Sequence, residues 1–282
     1  MARIVDTSTM AWQNGGEVIK AMAPEWRANL GPAEQVAETY AKYDQKTLRL
    51  DPATTRRLDL IRLAPGYRDL TYAYHDSVEE CFCLGGSCWL GGEGTIHEWG
   101  YFWRPPGWVH TAATEEGFVA LLGIQGECDE SGPASRRVRP ESEAGRCVTT
   151  DDPDAALGPR GFVKMLDSRL VPWQPGPVFA RCEGPLDGFD LERVAFKVLS
   201  KNPWTGAQSL LLRLAPGYRQ ARPGRHTAGF EAFVITGSAR LGETPLPAGS
   251  YFERTAGAEE PPLASEEGAI LFAKADGWLD FR

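Results

Sequence analysis

The chain has no apolar stretch approaching a membrane span, no run of basic residues interleaved with aromatics, no CxxC pair and only four histidines. Each shortage removes a class of protein. With no apolar span, and no apolar core of signal-peptide length in MARIVDTSTM, the sequence reads as soluble and cytoplasmic with no membrane partner. Lys+Arg of 30 against Asp+Glu of 38 leaves a formal charge of −8, and no helix-turn-helix pattern or basic helix relieves it. That balance speaks against nucleic acid as a partner. The six cysteines (Cys81, Cys83, Cys88, Cys128, Cys147 and Cys182) show no framework spacing and read as reduced thiols. Cys81 and Cys83 stand two apart in an apolar run, which puts both on one face of a strand and suits core packing.

What the sequence does contain is a second copy of itself. LAPGYR occurs at Leu63 to Arg68 and again at Leu214 to Arg219, an offset of 151 that also carries Pro52 to Pro203, Thr54 to Thr205, Arg62 to Arg213, His75 to His226, Glu80 to Glu231 and Gly86 to Gly237. YFWR at 101–104 matches YFER at 251–254, TEEG at 114–117 matches SEEG at 265–268, and DTSTMAWQ at 6–13 echoes DSRLVPWQ at 167–174. Two long copies make a domain duplication, not a solenoid array. At 282 residues two domains, each burying its own core, are expected: residues 1–126, a Pro/Gly/Ser-rich and charged linker at 127–160, and residues 161–282. The first copy has ten extra residues between its DTST and Pro52 (46 positions against 36), placed in PAEQVAETYAKY, where Val36, Tyr40 and Tyr43 have helical spacing.

Within each half, short apolar runs are bounded by turn residues: TLRL, LDLIRL, CFCL, YFW and FVALLGI, then FKVL, SLLLRL, EAFVIT and AILFAK. The class is therefore all-β, two tandem small barrels or sandwiches with few short helices. LAPGYR reads as a strand end entering a Pro-Gly turn, and DPAT and NPWTG as hairpin turns in equivalent places.

Three of the four histidines stand at positions the repeat marks out. The first half runs PGYRDLTYAYHDSVEECFCLGG and then YFWRPPGWVH. This resembles the cupin family, small jelly-roll-like β-barrels with a first motif G-x5-H-x-H-x3,4-E-x6-G and a second containing P-x-G-x2-H. On that resemblance His75 is the second histidine, Glu79 the glutamate, Gly86 the closing glycine, and His110 the last histidine. Ala73 stands where a typical cupin has a further histidine. Two imidazoles and a carboxylate can hold one divalent metal while leaving positions open for water, oxygen or substrate. Fe(II) is favoured for such a 2-His-1-carboxylate set, with zinc, manganese and nickel as alternatives. Glu80 is the substitute ligand should a bulge alter the register.

In the second half His226 remains, but Gly224 matches Ala73, Phe230 matches Glu79 and Glu260 matches His110. That barrel reads as metal-free. Arg62/Arg213, Arg68/Arg219 and Arg104/Arg254 occur in both halves and read as scaffold ion pairs, and His97 as a surface residue. Tyr72 and Tyr74 are candidate catalytic groups, and Trp99, Trp103 and Trp108 candidate substrate contacts, because all flank the proposed ligands in the first half alone. The chain resembles two-barrel ChrR-like cupins. That resemblance implies a metal-dependent enzyme, with a dioxygenase or other oxidoreductase acting on a small organic molecule as the leading reading. The alternatives are a decarboxylase, hydrolase or isomerase, or a non-catalytic small-molecule sensor. Apolar edges and the tryptophans are compatible with a homodimer, which the sequence does not establish.

Overall fold

The structure, a computed structural model, describes residues 2–21, 33–51, 56–74, 77–105, 108–124, 136–138, 164–183, 186, 188–201 and 206–279. Most of the expected linker, Pro52 to Thr54 of the DPAT turn, Asn202 to Thr205 of the NPWTG turn, and His75 lie outside these residues. Two compact units are formed: Ala11–Asp167, called here the N-terminal barrel, and Ser168–Arg282 together with Met1–Met10, the C-terminal barrel.

Both units are antiparallel β throughout. In the N-terminal barrel the described strands run side by side as Arg136–Val138, Tyr67–Tyr74, His110–Thr114, Glu79–Leu90, Phe118–Ile124, Arg57–Leu63, Tyr43–Leu50 and Gln13–Asn14. The twelve-residue strand Glu79–Leu90 ties this together. Its first part pairs with Phe118–Ile124 and Gly100–Arg104, its last part with Gly94–His97 and His110–Thr114. At the changeover stands Gly86, with φ of 75°, where an added Cβ would lie 2.2 Å from the carbonyl oxygen of Gly117. The C-terminal barrel repeats this crossing in Phe230–Leu241, with Gly237 at φ 75° and 2.1 Å from the Gly268 oxygen. No side chain fits there, and only glycine takes that backbone without strain.

The opening repeat is a turn in both copies. The Tyr67 amide donates to the Ala64 carbonyl at 3.1 Å and the Tyr218 amide to that of Ala215 at 3.0 Å. Proline then glycine at positive φ (Gly66 at 73°, Gly217 at 77°) is the type II pattern. The flanking scaffold is duplicated in the same detail. Trp12 lies beneath Lys46 and Arg62, at 4.4 and 4.5 Å from its ring centre, and Trp173 beneath Lys197 and Arg213, at 4.7 and 4.6 Å. Arg68 pairs with Glu115 and Arg219 with Glu266, all of them exposed, so these two arginines are the surface scaffold expected of them.

The first copy's extra residues include a helix at Ala33–Tyr40 with Val36 buried. Tyr43 is not on it: the chain turns out of the helix and Tyr43 begins a strand, its ring 6.0 Å from that of Tyr40. Cys81, Cys83 and Cys88 are free and buried in a core with Ile61, Leu63, Phe102 and Phe118, and burial pushes the Cys83 and Cys88 thiols up to about 12. Such thiols are inert at neutral pH. The C-terminal core is built on Phe179 and Phe196, stacked at 3.9 Å, with Leu210, Leu212, Phe252 and Leu271. Among the described residues no helix is long and apolar enough to cross a membrane.

The units do not follow a cut through the linker. Strand Arg3–Asp6, which opens the first repeat, pairs with Ser250–Arg254 of the second, from Arg3 opposite Glu253 to Asp6 opposite Ser250. Its counterpart Lys164–Asp167, which opens the second repeat, pairs with Gly100–Arg104 of the first. Each repeat thus lends its first strand to the other's sheet edge, where unpaired backbone groups demand a partner. Thr7 anchors the N-terminal arm by donating both its amide and its hydroxyl to the Gly249 carbonyl, at 3.3 and 2.7 Å.

Deleting residues 1–10 is therefore expected to loosen the C-terminal barrel although no residue of the second repeat is touched. Amide exchange in strand Ser250–Arg254 should rise by at least about tenfold. Unchanged exchange there would show that the arm contributes nothing to that edge.

Candidate metal centre

Glu79 and Arg104 face each other because their strands are paired: Glu79 is opposite Arg104, Cys81 opposite Phe102. Directly opposed residues share a face, so Glu79 and Arg104 lie on the core side with the cysteines. Arg104 Nη1 donates to Glu79 Oε2 at 2.6 Å. From the other side Glu93, in the turn after the long strand, chelates the same guanidinium: Nε reaches both its oxygens at 3.1 Å and Nη2 reaches Oε1 at 2.8 Å. All three side chains are almost completely buried. Burial alone would lower the pKa of Arg104, but Glu79 and Glu93 outweigh it and hold it above its ordinary value.

His110 completes the group. It begins the strand His110–Thr114, and its Nδ1 lies 3.0 Å from the Trp108 carbonyl oxygen. That bond assigns the ring proton to Nδ1. Nε2 lies 3.5 Å from Glu79 Oε2, which also accepts from Arg104 Nη1. It meets that oxygen as a donor when the ring is protonated, and offers a lone pair to a metal when the ring is neutral. An imidazole whose remote nitrogen donates to a backbone carbonyl is how a metal-binding histidine is ordinarily oriented.

One guanidinium faces two carboxylates, and His110 stands beside one of them. Backbone pairing also places Ala73 opposite His110, so the strand that leads into His75 runs beside the site. The donor types fit a divalent metal: a carboxylate and an oriented imidazole here, with His75 outside the described residues. Among the described residues no cluster of three metal-ligating side chains occurs.

The other sequence candidates are distributed unevenly. Glu80 alternates away from Glu79: no bulge intervenes on that side of the pairing, and its carboxylate accepts from Tyr101 Oη at 2.9 Å, as Glu231 accepts from Tyr251 at 2.7 Å in the second barrel. Glu80 therefore lies on the opposite face of the strand from Glu79, and the structure does not bring it to the site. Trp103 is opposite Glu80 and shares that outer face. Trp99, at φ 66°, packs edge-on against Phe82 at 5.9 Å, on the same outer side. Neither tryptophan is brought to the Glu79 face. Trp108 is at the site through its backbone, which fixes His110. Tyr72 and Tyr74 belong to strand Tyr67–Tyr74, with Tyr72 opposite Val138 and Tyr74 opposite Arg136; their side chains lie outside the described set. His97 is exposed, as expected.

Sequence reasoning missed Glu93 and misassigned Arg104. Glu93 has a repeat counterpart in Glu243, but that residue is exposed and pairs with Arg240, so the repeat itself conceals the difference. Arg104 and Arg254 are not strand-edge ion pairs. Both are buried, because each ends a strand whose side chain turns into its barrel. In the C-terminal barrel Arg254 meets Glu260, Nε to Oε2 2.5 Å, and His226, Nη1 to Nε2 3.1 Å. His226 stacks on Phe230 at 5.1 Å, the ring that replaces Glu79. Burial, and then the Arg254 charge, pushes the His226 pKa down to about 3, whereas burial pushes the Glu260 carboxyl up to about 7 against the opposing pull of Arg254.

Comparison with known proteins places this architecture. The fold is that of two-barrel cupins. Residues 189–277, within the C-terminal barrel, match the family described as the ChrR cupin-like domain. Among solved structures the chain is similar to a dioxygenase candidate from Nostoc punctiforme, at 18% identity and TM-score 0.72, covering 99% of this chain and 83% of that one. It is also similar to the protein Ylba from E. coli (13% identity, 97% and 90% coverage, TM-score 0.57) and to oxalate decarboxylase from Bacillus subtilis (14%, 85% and 73%, TM-score 0.50). At these identities the likeness is one of fold. No curated protein matches significantly.

Two consequences are measurable. Replacing Arg104 by Met strands two buried carboxylates, so unfolding of the N-terminal barrel should become easier by about 3–5 kcal/mol; a loss below about 1 kcal/mol would mean that the cluster is open to solvent. In the C-terminal barrel the two shifts act in opposite directions. His226 has a folded pKa below its unfolded value of about 6.5, so its contribution is full above that pH and is lost as pH falls toward about 3. Glu260 has a raised folded pKa, so its contribution is full below the ordinary carboxylate range and is lost as pH rises through about 7. The His226→Gln variant should therefore lose less melting temperature than wild type between about pH 6.5 and pH 4. An identical acid slope in the two proteins would show that His226 is not held neutral.

Proposed function

We propose that the N-terminal barrel is a metal-dependent catalytic site in which His75, Glu79 and His110 hold one divalent metal, with Fe(II) favoured, and that it oxidises a small organic substrate. The supporting observation is the His110–Glu79 pair: an imidazole nitrogen 3.5 Å from a buried carboxylate oxygen, beside the Arg104–Glu93 ion pair. Similarity to the dioxygenase candidate from Nostoc punctiforme favours the oxidative form of the reading. When bound, the metal would supply Lewis acidity and, as iron, one-electron chemistry.

The chain's own residues have definable tasks. The Trp108 carbonyl holds His110 in one tautomer and one orientation. Arg104 fixes the Glu79 carboxylate through Oε2. Glu93 takes up the rest of the guanidinium, so that Arg104 remains charged and its geometry set while Glu79 is available to a cation. Tyr72 or Tyr74 would supply a proton or hydrogen bond to substrate, and Trp108 an apolar contact.

Metal analysis of the chain purified without a histidine tag or chelator tests this directly. About one equivalent of iron, manganese, zinc or nickel is expected in wild type, and loss of it in His110→Ala and in Glu79→Gln. Absence of metal even after anaerobic reconstitution with Fe(II) would reject the reading. Oxygen uptake by the iron-loaded protein with a bound substrate would separate oxidation from the decarboxylase, hydrolase or isomerase alternative.

A further inference from the structure

The C-terminal barrel holds a buried polar group where the N-terminal barrel holds Glu79, Arg104 and His110. Arg254 is 4% exposed, Tyr218 0%, Gln220 6%, His226 3% and Glu260 3%. Tyr218 and Gln220 are buried with the exposed Arg219 between them, so they share the inward side of the chain. The ring of Phe189 lies 6.5 Å from both the Tyr218 and the His226 rings, which puts the tyrosine in one compartment with the Arg254–His226 pair.

Three hydrogen-bond donors in this group lack an acceptor among the described residues: Arg254 Nη2, Tyr218 Oη and Gln220 Nε2. The amide of Gln220 is pinned the right way round, because its Oε1 accepts from the Leu263 amide at 2.6 Å, leaving the NH2 end unmatched. Each buried donor without a partner costs about 1–3 kcal/mol. In the N-terminal barrel this debt does not arise, since Glu93 chelates Arg104 through Nε and Nη2 and Glu79 takes Nη1. In the C-terminal barrel Phe230 has replaced the one carboxylate and Glu243 points to solvent. Glu260 meets Arg254 at Nε. What is missing is a group whose acceptor oxygens reach the three remaining donors. A single water molecule could accept from two of them at most.

We propose that the C-terminal barrel binds a small organic carboxylate without a metal, its oxygens accepting from Arg254 Nη2, Tyr218 Oη and Gln220 Nε2, with Phe189 and Phe230 as apolar walls. The barrel that has exchanged its metal-ligating glutamate for phenylalanine would thus be a metabolite site in its own right. This site is independent of the metal in the N-terminal barrel, and holds whether or not that reading survives.

Titration calorimetry and thermal melting of the full chain with formate, acetate and oxalate test it, with chloride and sulfate as controls. Chelator-treated protein and the His110→Ala variant remove any contribution from the other barrel. Saturable binding of at least one carboxylate, with a matching rise in melting temperature, is expected in both. Tyr218→Phe, which removes only the hydroxyl, should weaken it about tenfold or more without lowering the melting temperature of the unliganded protein, and Arg254→Gln should abolish it. No binding of any carboxylate, equal binding of sulfate or chloride, or an affinity unchanged in Tyr218→Phe would overturn the proposal.

Discussion

A buried guanidinium at the end of an inner strand is the constraint around which each barrel is arranged. Arg104 and Arg254 occupy equivalent places, both nearly free of solvent. An arginine cannot shed its proton to escape burial, so the barrel must surround it with acceptors. The duplication supplied one problem twice, and the two copies answer it differently. The N-terminal barrel uses Glu79 and Glu93, with His110 beside Glu79. In the C-terminal barrel Arg254 meets Glu260 and the neutral His226, and one face of the guanidinium stays unmatched. Two carboxylates beside an imidazole suit a cation; an unmatched donor face suits an anion. On the two proposals above, one recurring arginine thus serves opposite kinds of ligand.

That contrast explains why the family resemblance and the ligand motif fall on different halves. The ChrR cupin-like match covers residues 189–277, in the barrel where Phe230 stands in place of Glu79. Fold is carried by features both copies keep: the glycine crossings at Gly86 and Gly237, the Pro-Gly turns, and the tryptophans clasped between two cations. Ligand chemistry is carried by a handful of positions that can change without disturbing any of them. His226 stacking on Phe230 shows the exchange at its smallest, an imidazole turned from possible ligand into an aromatic neighbour and hydrogen-bond acceptor.

Much of the fold was legible because turn chemistry and strand alternation are local. LAPGYR, the apolar runs and the equal spacing of the repeat are statements about neighbours in sequence, and the helix at Ala33–Tyr40 follows from its own periodicity. The exchange of first strands was not legible. Arg3–Asp6 and Lys164–Asp167 are nearly alike, and nothing in either says which of two similar edges it will join. At the candidate site, the cupin resemblance picked out His110 and Glu79, and the structure brings them to 3.5 Å of each other. Alternation along the strand set Glu80 apart from Glu79 barring a bulge, and none intervenes there. The same alternation applies to Trp103 opposite it, whereas Trp99 depends on a turn at positive φ that only the folded chain reveals.

Recurrence in both halves marks surface scaffold only where the recurring residues are exposed in both barrels. It succeeded for Arg68 and Arg219, whose partners Glu115 and Glu266 are both exposed. It misled for Arg104 and Arg254, where recurrence in a barrel without ligands suggested scaffold. Recurrence was the stronger clue to function, because a charge that both barrels retain in their interiors is costly to keep and each copy must commit nearby residues to it. The retained arginine, more than the lost glutamate, determines what the second barrel can bind.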